Sequence, residues 1–198
     1  MDIGQGAGTA GASGVRPFLP ALLAGALARG DSGIDFDGTD YSFLESEWFL
    51  LVVLFLAVAV YALNRRQKPE GRRQELLVER AVAVFGLALG ALLFAGSLAD
   101  DHQTSWWGLI AGLLCAALGY LAIASLFARA RARLSGQNGA AGAQSLIDVY
   151  AEGIALALAA LSIFVEPVGY VALAVFVFLI ARSRGEGAQK YGGLRILR

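Results

Sequence analysis

Long apolar runs in this chain are separated by connections whose charge alternates in sign, and that alternation constrains the fold more than any other feature. Fourteen of the sixteen Lys and Arg residues fall within 64–80, 129–145 and 182–198, each directly after an apolar run. Acidic residues dominate the intervening connections, at 30–47, 100–101 and 166. Basic loops resist translocation and stay in the cytoplasm, so the pattern predicts a multi-pass membrane protein. A hydrophobic content of 57% with mean hydropathy +0.61 is too apolar for an ordinary soluble domain.

The predicted fold class is all-α, a polytopic membrane helix bundle forming a single integral membrane domain over residues 1–198. The bilayer core takes about 20 mostly apolar residues per helical span. That length predicts spans at 3–28, 44–63, 81–99, 106–128, 146–165 and 167–182, followed by a basic cytoplasmic tail at 183–198. Trp106 and Trp107 open the fourth run, where aromatic residues anchor at an interface. The first run is Gly/Pro-broken: small residues fill 4–14, Arg16 falls near its middle, and Pro17 and Pro20 each remove a backbone donor. Read as six spans, the chain has both termini in the cytoplasm. Read with 3–28 re-entrant, the N-terminus moves outside and the remainder is unchanged. No Lys or Arg precedes Arg16, so a signal peptide is not expected.

Several classes are excluded by the same counts. Net charge is zero, which gives no basic field for nucleic acid. Cys115 is the one cysteine and His102 the one histidine, so a disulfide, a metal centre and a cofactor are not expected. No nucleophile-plus-base set is visible, so neither is an enzyme.

Arg16 carries the strongest chemical expectation, because a charge at a helix centre costs about 2.5–3.5 kcal/mol even on lenient insertion scales. A carboxylate, water, carbonyls or a bound anion must offset it. Asp148 and Glu152 are the expected partners; four residues apart, they share a helix face, and Gln144 extends that stripe one turn back. Glu152 falls deeper than Asp148, and two close carboxylates in low dielectric favour uptake of a proton. Gly11 and Gly14 complete the expected pathway, through backbone amides over 4–14 that would form an anion site with Arg16. Glu45 and Glu166 precede apolar runs on the outer side and are expected to cap helix N-termini or to line an outer vestibule.

Other patterns are weaker. Asp35, Asp37 and Asp40 beside Gly38 resemble a calcium loop, but the order is not that of an EF-hand and no closing Glu follows. Gly86/Gly90 and Gly108/Gly112 are small-xxx-small pairs suited to close helix packing, including that of a homodimer. Residues 11–25 align loosely with 139–153, and 43–49 with 164–170, as a duplicated helix pair would.

The stretches GASGVRPFLPALLAGALA and FLESEWFLLVVLFLAVAVYAL, separated by the acidic loop and joined by the tail KYGGLRILR, resemble a known family. It is the domain-of-unknown-function 4126 family, small multi-pass proteins of the bacterial inner membrane. The resemblance implies this topology and setting, no established activity and no catalytic residues. The expected function is transport or conduction of a small solute or ion through the lipid bilayer, with a polar site between the first and fifth spans. A non-transporting scaffold with structural ion pairs is the alternative.

Overall fold

The computed structural model describes the backbone of residues 3–66, 72–100, 105–134 and 140–192, with side chains over 3–63, 77–100, 105–127 and 146–183. The described residues form seven α-helices: α1 (Ile3–Val15), α2 (Phe18–Ala28), α3 (Glu47–Arg66), α4 (Arg72–Asp100), α5 (Ser105–Leu134), α6 (Ala140–Phe164) and α7 (Pro167–Gly192). A short 3₁₀ turn at Ser42–Glu45 leads into α3, and no strand occurs among the described residues.

Helix α1 is the axis of the bundle. Its sequence, IGQGAGTAGASGV, is too rich in glycine to be a good helix by propensity alone, so packing must hold it. Every residue from Gly4 to Val15 is buried, surrounded by α4, α5, α6 and α7. The glycines are required because backbones meet there. A Cβ on Gly14 would lie 1.9 Å from the Ala116 carbonyl oxygen, and one on Gly169 would lie 1.8 Å from that of Gly4. Small residues that let helices approach so closely are the usual cement of membrane bundles.

After Val15 the chain turns back. Arg16 N–H donates to Ala12 O (3.0 Å), Pro17 can donate nothing, and α2 begins at Phe18. Along α4, Gly6 lies against Ser97, Ala10 against Gly90 and Ser13 against Gly86, so α1 descends as α4 ascends. Phe18 then meets Phe85 at 5.7 Å between ring centroids, and Gly25 lies against Leu44. Leu44 and Phe36 both pack on Gly96, back near the starting level. Finally Gln5 Nε2 donates to Gly33 O at 2.6 Å, joining the start of α1 to the chain beyond α2.

Residues 3–28 therefore form a hairpin of two half-helices that enters and leaves at one end of the bundle. This corrects the reading of 3–28 as a single crossing with its N-terminus at the same end as the basic connections. At 13 and 11 residues, the arms extend about 20 and 16 Å, each short of a bilayer core of about 30 Å. Charge patterning could not decide this, because Arg16 sits at the tip and adds no sign to either flank.

Helices α4 to α7 alternate in direction around the hairpin. Gly108 and Gly112 of α5 pack on Ala95 and Gly90 of α4, while Ser162 of α6 and Gly169 of α7 both close on Gly8. The end carrying 29–46 and 164–167 is acidic, and the opposite, basic end is where α3 and α5 finish with Arg65, Arg66, Arg129, Arg131 and Arg133. Helices α4, α5 and α7 run past their apolar portions into charged sequence, which the apolar runs alone do not reveal. Among the described residues, three segments are long and apolar enough to cross a membrane: Leu77–Asp100, Ser105–Phe127 and Leu146–Phe164. Glu47–Leu63 and Pro167–Ser183 are shorter apolar helices. Large apolar side chains such as Trp48, Phe55, Val84, Leu114, Val171 and Phe178 face outward, consistent with a membrane protein.

The suggested duplication is not a structural repeat. Residues 11–25 contain the hairpin tip, whereas 140–153 are continuous helix. The faces proposed for a homodimer are also occupied: Gly86 meets Ser13 and Pro17, Gly90 meets Ala10 and Ala116, and Gly108 and Gly112 meet α4.

Candidate functional site: the hairpin tip

Arg16 reaches from the hairpin tip to α6. Its Nη2 donates to Asp148 Oδ1, and its Nε stands 3.7 Å from Glu152 Oε1. The guanidinium also lies over the Phe127 ring of α5, 5.9 Å from the centroid, a cation–π placement. Asp148 and Glu152 are one turn apart on α6, so one arginine meets both. The side chains are 24% (Arg16), 47% (Asp148) and 34% (Glu152) exposed, so the cluster is only partly enclosed. Arg16 Nε itself is buried and has no hydrogen-bond partner among the described residues. The Gln144 side chain lies outside the described residues, although its backbone belongs to α6.

The tip has a particular backbone chemistry. Because Ala12 O receives the last helical bond of α1, the carbonyls of Ser13, Gly14 and Val15 fall at the break, the partial negative end of that helix. Pro17 and Pro20 strip two N–H groups from the start of α2. The expected anion site built from amides over 4–14 is corrected accordingly: α1 is a regular helix, and its amides beyond the first turn are committed to helical bonds. Gly11 and Gly14 are instead packed against neighbouring helices. A Cβ on Gly11 would meet the Phe176 ring at 2.9 Å, and Gly14 abuts the Ala116 backbone.

The opposite end of the hairpin is sealed, through a residue that sequence reasoning missed. Gln5 is 4% exposed, and its Nε2 bridges Gly33 O (2.6 Å) and Ile163 O (3.4 Å). Gln5 and Arg16 are eleven residues apart on one helical track, about three turns, so both address α6. Thr9 lies between them and Ser13 beside them, both fully buried. Their hydroxyls donate back along α1, Thr9 to Gln5 O (2.9 Å) and Ser13 to Thr9 O (3.0 Å). The signal was available as polar residues four apart in a glycine-rich run, but spacing alone does not distinguish such a track from ordinary packing.

At the acidic end, Glu45 lines an open cleft of about 430 Å³ with Ala28, Arg29, Asp31, Asp37, Ser46 and Glu47. Arg29 there donates to Glu47 Oε1 at 2.5 Å. Glu166 does not line this cleft; its backbone carbonyl abuts Gly4. Carboxylate oxygens of Asp35, Asp37 and Glu45 lie within 4.8 Å of one another, so the acid missing from the loop's own sequence is supplied by the 3₁₀ turn. Each could lend one oxygen to a cation. Burial, together with a hydrogen bond to Asp37 and the charges of Asp37 and Asp35, raises the pKa of Glu45 above the usual 4.5, opposed only by the Phe36 amide.

The family model described as a domain of unknown function, DUF4126, matches residues 3–185. No curated protein and no solved structure matches the chain.

Proposed function

The chain belongs to the DUF4126 family, and on the geometry of its hairpin tip we propose that it is a multi-pass plasma-membrane protein that moves a small solute or ion. Helices α3 to α7 are the membrane crossings, with the basic end in the cytoplasm. The hairpin α1–α2 is a re-entrant element entering from the outer face, a backbone arrangement tolerated at membrane depth where protein encloses it. One observation carries the reading: the hairpin tip places an arginine against two partly exposed carboxylates at one end, while the other end of the same helix is closed by Gln5. A polar centre open to one side and sealed to the other is what one conformation of an alternating-access protein requires.

The hydrogen bond from Arg16 to Asp148 is also what a scaffold with structural ion pairs would have. Glu152 separates the two readings, because it remains a third exposed and has no short bond to the arginine. The test is reconstitution of the purified full chain into liposomes, followed by light-scattering and charge-displacement records as the external solution is changed. A transporter gives responses above protein-free vesicles that fall in Glu152→Gln. Vesicles as tight as protein-free ones, with Glu152→Gln indistinguishable from wild type, support the scaffold.

A further inference from the structure

We propose that the hairpin tip binds a small cation, a proton or a monovalent metal ion, at Glu152 from the cytoplasmic side. This rests on the transport reading and names its substrate class. Four observations agree on the sign of the charge.

Two carboxylates face one guanidinium, so the cluster carries one negative charge in excess when all three groups are ionised. The break leaves the carbonyl end of α1 at the tip, and its partial charge has the same sign as that excess. The start of α2, where an anion would normally find backbone donors, lacks two of them at Pro17 and Pro20. Finally, the arginine is already engaged at Nη2. Nη2 is bonded to Asp148 and the ring of Phe127 lies beside the guanidinium, whereas Glu152 is held only across 3.7 Å. An anion would have to displace Asp148 from Nη2 or reach the buried Nε, which already faces Glu152. A cation has only to join Glu152, while Arg16 stays with Asp148.

The direction of approach follows from burial. All three side chains are partly exposed, and the tip lies at the end of α1 opposite Gln5. The outer route along α1 passes Thr9 and Gln5, which are fully or almost fully buried. Small buried residues continue that track on α6 at Ala155, Ala159 and Ser162, ending beside Gln5 at Ile163.

The test uses liposomes of the full chain adsorbed on a solid-supported membrane. Three jumps are recorded separately: sodium or potassium replacing choline at constant pH, a pH step at constant sodium, and chloride replacing gluconate. A cation site gives displaced charge on the first jump if it takes a metal ion, on the second if it takes a proton, and none on the third. Glu152→Gln, confirmed monodisperse, should weaken the apparent cation affinity by roughly tenfold or more, the effect of losing a main ligand. Charge displaced by chloride alone overturns the cation assignment and leaves transport standing, as does solute-driven swelling without any ionic response. Silence in every jump and in the swelling assay removes both readings.

Discussion

Replacing Gly14 by alanine adds one methyl group at the tightest point between α1 and α5. Its Cβ would lie 1.9 Å from Ala116 O, 2.6 Å from the carbonyl carbon and 2.8 Å from Cα. Ordinary contact begins at 3.4 Å, so the two backbones must part by about 1.5 Å, and no side-chain rotation can relieve the overlap. Overpacking of this kind costs about 1–3 kcal/mol and more where backbone must move. For a chain of this size each kcal/mol shifts Tm by about 2–4 °C, so a loss of roughly 5–10 °C is expected. The control is Gly153→Ala on α6, where a Cβ meets nothing within 4 Å. That change removes a helix-interior glycine and should be neutral or stabilising by up to about 1 kcal/mol. Thermal unfolding followed by the fluorescence of Trp48, Trp106 and Trp107 in detergent reads both variants. Equal midpoints for Gly14→Ala and Gly153→Ala would refute the packing of α1 on α5 and, with it, the placement of Arg16.

Gln5→Leu removes the donor shared by Gly33 O and Ile163 O and should cost about 1–3 kcal/mol. It should also open the outer end, measured as new reactivity of a Thr9→Cys probe toward an impermeant thiol reagent applied outside. Arg16→Gln leaves Asp148 and Glu152 without their cation. Removing one partner of a fully buried pair costs about 3–5 kcal/mol, and these partly exposed groups should lose less, roughly 1–3 kcal/mol, read as a lower Tm that Asp148→Asn partly restores. Glu45 has a folded-state pKa raised above its ordinary 4.5, so its stabilising contribution is fully present below that value and is lost as pH rises through the raised one. Tm should therefore fall from pH 4.5 toward neutrality by an amount that Glu45→Gln abolishes; an unchanged slope in the variant would place the titrating group elsewhere.

Runs such as 81–99 and 106–128 lie inside α4 and α5, because length and hydropathy suffice for uninterrupted segments. The pairing of Arg16 with the Asp148 and Glu152 stripe followed from the cost of an isolated charge among apolar residues and from helical spacing. Direction at the tip was different. Whether a helix broken at Arg16-Pro17 continues or doubles back depends on Gly14 against Ala116, Gly25 against Leu44 and Gln5 against Gly33, all contacts between distant parts of the chain. Gly86/Gly90 and Gly108/Gly112 were correctly read as close-packing surfaces. Spacing cannot say whose backbone they meet, and they meet α1, α4 and α5 of the same chain. The carboxylate cluster at the acidic end was half visible, since Glu45 joins Asp35 and Asp37 only through the 3₁₀ turn.

The hairpin is the central claim, and its topology can be measured directly. In a Cys115→Ala background, Ile3→Cys, Ser32→Cys and Ser183→Cys are each exposed to a membrane-impermeant maleimide on intact cells and on inverted vesicles. Ile3 is 47% exposed, and Gln5 beside it is bonded to Gly33 at the acidic end, while Ser183 lies toward the basic end of α7. The hairpin predicts that positions 3 and 32 react from the outside and position 183 only from the inside. Reaction of position 3 from the same side as position 183 would mean that residues 3–28 cross the membrane, and would contradict the account.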